Sequence, residues 1–474
     1  MLRSVVDQDD WYVDRNAETV TGSLTSDQLE EAIAATQARV TDERLTELCV
    51  ALVDTPSPTG GEAELAQLIA GILRASSGHG VVQYLDERQA NAWGRISSSP
   101  AERTGPTVML YAPIDTLTMG DPAMDAPGCS ALSTGKASTD VDAHQRPVAV
   151  VRDGVISGLG AMNPKGHAAC ILMAFEAVAE AGLTLPGEII AAFGAGGMPT
   201  NALRDYTDPL DRRNTGHGVG CSFMLAQGVW ADAAIIAKSG WAISHEEVGL
   251  AWCDIVVRGV HTYVGARHRL PYRNPINDAA VIVRHLEEWL PDRATRHRQG
   301  SLLPQGIVAA ILAGSTRTAA FVPAEATIRV DLRLNTSQSP LDAKRELETE
   351  LETLRAAHPG LDASVELVVG IPASLTDPDH WICRTAVDAW ERVAGQPHQP
   401  PIDASGATDA NILRNRGIPT VRVGLPKICL AGEELPFAAG MNTVSVSSMR
   451  MLTDHLIRCV VMTAGRTRDE LERG

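Results

Sequence analysis

Apolar residues recur along the first half of the chain with two different periods. Between residues 27 and 53 they return every three or four positions, which is typical of an amphipathic helix, and residues 64–73 repeat this pattern after a proline-rich break at 54–62. Helical spacing also occurs at 168–181 and 222–227. Short apolar runs, typical of strands, stand at residues 81–85, 91–96, 108–111, 188–193 and 233–237. Strands that alternate with helices predict an α/β fold with a mostly parallel sheet and helices on both faces.

The pattern changes near residue 247, where strands and helices follow in the order β-α-β-β-α-β. This order is typical of a two-layer α+β domain. The six elements are predicted at residues 248–260, 275–289, 306–313, 326–334, 340–357 and 364–369. The α/β pattern then returns with elements at residues 381–394, 409–416, 420–423 and 446–464. The sequence therefore predicts an N-terminal arm (1–26), an α/β domain made of residues 27–246 and 369–474, and an inserted lid domain (247–368).

Composition and charge exclude several classes of protein. The 474 residues exceed what one ordinary core accommodates, and 44% hydrophobic with 21% charged residues is typical of a globular protein. A formal net charge of −17 without a basic stretch opposes binding to nucleic acid. No apolar run reaches the roughly 18 residues that span a bilayer, and the acidic N-terminus is unlike a signal peptide. We therefore expect a cytoplasmic protein with no nucleic-acid or membrane partner.

A glycine-rich turn at residues 158–166 joins a predicted strand to a predicted helix. It is not a dinucleotide fingerprint, because Asn163 stands where the third glycine is required, and it is not a phosphate loop, because Gly166 follows Lys165 where Ser or Thr is required. Such a turn brings backbone amides and polar side chains to one end of the sheet. Candidate chemistry is therefore expected there.

Three blocks of sequence stand in the order in which one enzyme family carries them: residues 55–60, 158–166 and 405–410. From residue 27 to the C-terminus the chain resembles the M20 metallopeptidases and deacylases, which include acetylornithine deacetylase, succinyl-diaminopimelate desuccinylase, aminoacylase and carboxypeptidase G2. The resemblance implies an α/β domain with an inserted lid that dimerises through a strand and a helix. The matching elements are 326–334 and 340–357, so we expect a homodimer.

The resemblance also implies a dinuclear zinc site, held in the family by two His and three acidic residues with a Glu as general base. Each of those positions is changed here. The replacements are Pro113, Asn163, Gly197, Met198, Lys238 and Ala439. Because Pro, Gly, Ala and an ammonium group supply no zinc ligand, the sequence predicts that neither zinc nor another cofactor is bound. A repositioned metal site built from His167, His217, Asp115 or Asp409 is the alternative.

Other polar residues of the α/β domain remain as candidates for catalysis and binding. Asp115 and Lys165 are retained, and Lys238 is gained where the family has a carboxylate. We predict that Lys165 and Lys238 hold an anionic group or an oxyanion, with Asp115 as charge partner or base. Asn163 and Asp409 are predicted to contact substrate. The alternative is that Asp115 and Lys165 pair with each other and only stabilise a turn.

The predicted lid carries a dense polar segment, residues 261–274. In the family a His of this segment reaches across the dimer to the scissile carbonyl; that position aligns with Tyr263, and His261 is a neighbour, so both are predicted to be catalytic. The resemblance further implies that an Asn and an Arg of the lid bind substrate. The predicted binding residues are Arg267, His268, Asn274 and Arg333. A basic patch that pairs with the protein's own acidic surface is the alternative.

Two functions remain open at this point. The first is an amidohydrolase-like enzyme that acts on a C–N bond of a small carboxylate-bearing molecule without the family's zinc. The second is a non-catalytic homologue that binds a ligand or regulates a partner. Loss of the zinc ligands and the base favours the second. The charged cluster favours the first, because unpaired buried charges cost stability and need a reason to persist.

Overall fold

The chain was analysed as a computed structural model that describes residues 23–97, 103–117, 148–200, 216–430, 433–435 and 437–473. Most of the predicted N-terminal arm lies outside the described residues. Among the described residues, no helix combines the length and the apolar character needed to cross a bilayer.

A six-stranded sheet forms the centre of the larger part of the molecule. Its strands are β1 (Val81–Tyr84), β2 (Ala90–Ser97), β3 (Thr107–Pro113), β4 (Glu188–Gly194), β5 (Ala233–Ala237) and β10 (Thr420–Val423). They lie in the order β1-β2-β4-β3-β5-β10. The four strands β4, β3, β5 and β10 are parallel, whereas β1 and β2 pair antiparallel at one edge. Strands β3, β4 and β5 are almost wholly buried, which explains their continuous apolar sequences.

Helices cover this sheet. They are α1 (Ser26–Gln37), α2 (Asp42–Asp54), α3 (Ala63–Ser77), α4 (Lys165–Ala181), α5 (Val219–Ala226), α8 (Trp381–Ala394), α9 (Ala410–Asn415) and α10 (Val446–Ala464). Helix α4 is buried over nearly its whole length because it lies between the sheet and other helices. The single helical pattern at 27–53 forms two helices. The break occurs because the hydroxyl of Thr41 accepts from the N–H of Arg44 and caps α2.

A second, four-stranded sheet lies between β5 and α8 in the sequence. Its strands β6 (Gly249–Arg258), β7 (Gly306–Ala313), β8 (Glu325–Leu334) and β9 (Asp362–Ile371) are all antiparallel, in the order β7-β8-β6-β9. Helices α6 (Pro275–Arg296) and α7 (Pro340–Ala357) pack on one face and build a separate apolar core. The α/β fold with an inserted two-layer domain is thus confirmed.

Shorter elements complete the described structure. The helices Phe437–Met441 and Arg468–Arg473 lie near the C-terminus. The small paired strands are Val150–Arg152, Val155–Ser157 and Thr443–Ser445, Glu246–Glu247 with Ser374–Leu375, Thr262–Tyr263 with Phe321–Val322, and Cys429–Leu430 with Glu433–Glu434.

The lid sheet has two edge strands, β7 and β9, and neither is the strand that was expected to dimerise. Strand β8, which contains residues 326–334, has a hydrogen-bonded neighbour on each side, β7 and β6. Helix α7 packs against β9 and β6. The free apolar edge belongs to β7, where Ile307, Ile311 and Leu312 are each at least half exposed. The assignment of a dimer strand to 326–334 was therefore wrong, because strand order is a tertiary property.

Candidate functional site

The carboxyl ends of four parallel strands meet at one edge of the central sheet. Asp115 follows β3 after one residue, Lys238 follows β5 directly, and the loop Ala195–Met198 follows β4. Gly424 follows β10, and it is held so close to Lys238 that a Cβ there would overlap the lysine's carbonyl oxygen. The edge therefore brings together residues that are far apart in the sequence, as expected for a parallel sheet.

Asp115 is fully buried and its carboxylate is held by three hydrogen bonds. The N–H of Gly197 donates to Oδ1 (2.7 Å), while the N–H of Met198 (3.0 Å) and the hydroxyl of Thr59 (2.7 Å) donate to Oδ2. Burial raises the pKa of Asp115, and these donors together with the nearby Lys238 oppose that rise. The carboxylate is thus anchored in one position.

The loop Ala195–Met198 uses every one of its four N–H groups on a buried side chain. Besides the two bonds to Asp115, the N–H of Ala195 donates to Oδ1 of Asn91 (2.9 Å), and that of Gly196 donates to Oε1 of Glu62 (3.0 Å). Burial raises the pKa of Glu62 to about 8. The backbone of this loop thus binds acidic and amide side chains from several other parts of the chain.

Lys238 places an amine beneath this loop. Only 9% of the residue is exposed, and Nζ lies 3.9 Å from Sδ of Met198. Within the described part of the chain, no carboxylate oxygen is within 4 Å of Nζ. Burial lowers the pKa of Lys238, although the more distant Asp115, Asp409 and Glu247 oppose this shift. The amine is therefore near acidic groups without being ion-paired to any of them.

Asp409 lies on the other side of the loop, before helix α9. The hydroxyl of Tyr111 donates to its Oδ2 (2.6 Å), and a Cβ at Gly197 would lie 3.1 Å from the same oxygen. Burial raises the pKa of Asp409 to about 6, against the opposing influence of Tyr111 and Lys238. A carboxyl group with a pKa near 6 can exchange protons at neutral pH.

Lys165 and His167 begin helix α4; His167 lies near Lys238, whereas the amine of Lys165 has other surroundings. The ammonium group of Lys165 donates to the carbonyl oxygens of Thr55 (2.7 Å) and Val53 (3.5 Å), at the C-terminal end of α2. Burial lowers the pKa of Lys165 to about 7. Burial likewise lowers the pKa of His167 to about 3, and its Nε2 accepts from the N–H of Leu425 (3.1 Å). No ion pair joins Lys165 to Asp115 among the described contacts.

Asn163 lies in the turn before α4 and is 6% exposed. Its Nδ2 faces Sδ of Met441 at 3.7 Å, while its buried Oδ1 has no hydrogen-bond partner among the described residues. An unpartnered buried oxygen is costly and is therefore available to a ligand or a water molecule.

The polar segment of the lid is largely on the surface. His261 stacks on Phe321 with 5.4 Å between ring centroids, Tyr263 contacts the same ring, and the guanidinium of Arg267 lies 4.4 Å from the ring centroid of Tyr272. His268 is exposed, and Oδ1 of Asn274 accepts from the N–H of Ile276 as the cap of α6. Among the described contacts, none of these side chains touches Asp115, Lys238 or Asp409.

Arg333 lies on strand β8 of the lid sheet. Its guanidinium donates to Oδ2 of Asp331 (2.9 Å), and Trp252 lies opposite Asp331 on strand β6. His217 reaches this sheet from the larger domain and meets Trp252 edge to face at 4.6 Å. Arg333 is therefore close to the junction between the two parts, with its charge already shared by an acidic neighbour.

Sequence reasoning missed three buried residues around the site: Glu62, Tyr111 and Glu247. Glu62 closes the turn that follows residues 55–60, Tyr111 lies in β3, and Glu247 accepts from the N–H (3.0 Å) and hydroxyl (2.7 Å) of Thr408. Glu62 stands two residues after the block at 55–60, whereas Tyr111 and Glu247 stand near none of the three sequence blocks. Burial, which the sequence does not display, distinguishes Glu62 and Glu247 from surface acids. Tyr111 differs from an ordinary core tyrosine by its hydrogen bond to Asp409.

The side chains at the strand ends do not fit a zinc ion. Among the described residues, no three His, Cys, Asp or Glu side chains lie together in a way that could hold a metal. The oxygens of Asp115 are engaged by three donors, Nε2 of His167 accepts from the backbone, and the amine of Lys238 lies among the acids. Asp115 and His167 thus already have hydrogen-bond donors, and the ammonium group of Lys238 supplies no zinc ligand.

A sequence model described as peptidase family M20/M25/M40 matches residues 137–435, which is more than half of the chain.

Solved structures with the same fold cover nearly the whole molecule. A tripeptidase from Staphylococcus aureus is 16% identical, with 90% of this chain and 99% of that chain covered and a TM-score of 0.62. An M20 family metallo-carboxypeptidase from Sulfolobus solfataricus is 16% identical, with 90% and 100% covered and a TM-score of 0.63. Human carnosine dipeptidase 1 is 14% identical, with 92% and 98% covered and a TM-score of 0.62. At these identities the likeness concerns the fold.

Proposed function

Because the chain belongs to the peptidase family M20/M25/M40, whose members hydrolyse peptide-type amide bonds, we propose that it is an amidohydrolase-like enzyme acting on a C–N bond of a small carboxylate-bearing molecule. Its structural neighbours include a tripeptidase, a carboxypeptidase and a dipeptidase. This supports a short peptide or an N-acyl amino acid as substrate.

The observation that carries the proposal is the buried amine of Lys238 at the strand ends, close to three acids but paired with none. A buried charged group without a direct partner costs stability. A site that binds an anionic group gives such an amine its partner. We propose that the N–H groups of Lys238 donate to the oxygen that becomes negative when the amide carbonyl is attacked.

The two acids beside Lys238 have different proposed roles: Asp115 is a fixed charge, and Asp409 carries a proton. Asp115 has three donors on its carboxylate and serves as the fixed counter-charge of Lys238. Asp409, with a pKa near 6 and Tyr111 on one oxygen, is proposed to take the proton of the attacking water. Arg333 is proposed to bind the substrate carboxylate at the domain junction, exchanging part of its contact with Asp331.

We further propose that this chemistry proceeds without zinc or another cofactor, because Asp115 and His167 already have hydrogen-bond donors and the amine of Lys238 lies among the acids. The competing function is a non-catalytic homologue. It is favoured by the complete hydrogen bonding of Asp115 and by the anchoring of Lys165 to α2, both of which are purely structural arrangements.

The test is a screen of dipeptides and N-acyl amino acids by mass spectrometry on protein treated with a chelator and then freed of it. We expect at least one substrate to be cleaved at an undiminished rate, and Arg333→Ala to weaken its binding by a few kcal/mol, the scale for truncating a buried charge pair. Cleavage that requires added zinc contradicts the zinc-free mechanism alone. If no substrate is cleaved either with or without zinc, the protein is the non-catalytic homologue.

We also propose a homodimer that forms along the free edge of β7. This strand exposes Ile307, Ile311 and Leu312, and an exposed apolar strand edge is a template for pairing with a second copy. We expect Ile311→Glu to convert a dimer into the 50.4 kDa monomer in sedimentation at micromolar concentration. Leu375→Glu, at a similarly exposed leucine outside the lid, is the control. A wild type that sediments only as a monomer contradicts this proposal.

A further inference from the structure

Lysine is scarce in this chain. Of 41 basic residues other than histidine, five are lysines, at positions 136, 165, 238, 344 and 427. Arginine therefore supplies almost every positive charge. Most of the described ion pairs use arginine, as Arg422 does 3.4 Å from Glu247, and the two lysines in such pairs, Lys344 and Lys427, lie nearer the surface. A lysine buried at the strand ends is an exception, and an amine has one property that a guanidinium lacks: it can lose its proton and become a nucleophile.

The two fully buried lysines differ in what their amines touch. The amine of Lys165 donates to two carbonyl oxygens, which hold it in place. The amine of Lys238 has, among the described residues, only the sulfur of Met198 within hydrogen-bonding range, at 3.9 Å. Thioether sulfur is a weak acceptor. Lys238 thus keeps its lone pair free whenever it is unprotonated, while Lys165 is tied to the backbone.

We propose that Lys238 is a carbonyl-reactive amine that forms an imine with a small aldehyde or 2-oxo acid. Burial lowers the pKa of its ammonium group and so favours the neutral, nucleophilic form. Met198, whose Sδ lies 3.9 Å from Nζ, stands between the partly exposed Gly197 and the exposed Pro199, so the residue that the amine contacts borders the surface. A ligand of a few atoms reaches the amine past this loop.

The acids around Lys238 match the proton transfers of this step. The amine nitrogen attacks the carbonyl carbon, and the former carbonyl oxygen takes a proton to give a carbinolamine. Loss of the second nitrogen proton and departure of that oxygen as water then leave the C=N bond, so the net reaction is amine plus carbonyl to imine plus water. Asp409, with a pKa of about 6, can donate and accept these protons, and Asp115 balances the positive charge of the protonated imine. No oxidant or metal is required.

The proposal goes beyond amide hydrolysis, because it assigns Lys238 a covalent reactivity that hydrolysis does not use. The experiment is reductive trapping: the full-length protein is incubated with glyoxylate at pH 7.5, reduced with sodium borohydride, and digested for peptide mapping. We expect one reduced adduct on Lys238, formed at least tenfold faster than adducts on Lys344 or Lys427. These two surface lysines pair with Glu348 and Glu434 and report ordinary amine reactivity.

Two further outcomes decide the proposal. Lys238→Arg should lose the fast adduct while its circular dichroism and unfolding curve remain those of the wild type. If the wild type labels Lys238 no faster than the surface lysines, the proposal is overturned, whatever the variant does. Trapping needs no turnover, so hydrolysis without trapping overturns only the amine chemistry, and trapping without hydrolysis overturns only the proposed amidohydrolase function.

Discussion

Lys238→Met is expected to lower turnover of the amide substrate by about a hundredfold or more. That is the scale on which a preorganised donor to a developing oxyanion acts, because the donor is already in place and water cannot substitute for it. Methionine keeps most of the length and apolar stem of lysine, so the fold is retained. The measurement is kcat/KM for the variant and the wild type on the substrate that the screen identifies.

Two controls separate this loss from unrelated causes. Lys427→Met removes a lysine whose side chain is 73% exposed and should leave kcat/KM unchanged. Chelators should not alter the ratio between variant and wild type. If Lys238→Met changes substrate affinity but not the rate of the bound complex, Lys238 binds ligand and does not act on the transition state, as the non-catalytic homologue requires.

The free energy of unfolding of the wild type is expected to rise between pH 7 and pH 9.5 relative to Lys165→Met. Burial lowers the pKa of Lys165 to about 7 in the folded protein from a normal value of 10.5. Between these two values the unfolded chain binds more protons at this residue than the folded chain does, so its contribution to stability increases with pH. At about 1.4 kcal/mol per pKa unit, the free energy of unfolding of the wild type should rise by a few kcal/mol more than that of Lys165→Met over this pH range.

Urea unfolding at several pH values measures this difference. Other ionising groups contribute equally to both proteins and cancel. Lys344→Met, on the exposed side of α7, controls for the loss of a surface lysine. A pH dependence that is identical in the wild type and Lys165→Met would contradict the burial-lowered pKa. If the variant also retained normal kcat/KM, Lys165 would be a structural residue and not a catalytic one, as its two carbonyl contacts suggest.

Local patterns determined much of the fold. The strands 233–237 and 306–313 and the helices 340–357, 381–394 and 446–464 coincide with the observed elements, because side-chain periodicity is a property of consecutive residues. The division into an α/β part and a β-α-β-β-α-β part follows from the same information. The family could also be predicted, since three sequence blocks stand in the order that is typical of it. The family match at residues 137–435 confirms that resemblance.

The hydrogen-bond partners of individual polar side chains could not be predicted from the sequence pattern. Lys165 and Lys238 looked equivalent in the sequence, yet one amine is held by carbonyls of α2 and the other faces a thioether sulfur. The roles predicted for His261, Tyr263, Arg267 and His268 stay predictions, because these side chains lie on the lid surface of a single chain. Whether a second copy covers them depends on contacts that one chain does not contain.

The sequence by itself determined the fold class and the family, because both depend on the local order of residues and of sequence blocks. Only the tertiary structure decided that β8 is an inner strand of the lid sheet while β7 is an edge strand, and that Asp115, Asp409 and Lys238 share one buried cluster. Strand order and the meeting of strand ends arise from long-range packing. The ionisation of the buried groups follows from that packing, since burial and neighbouring charges set their pKa values.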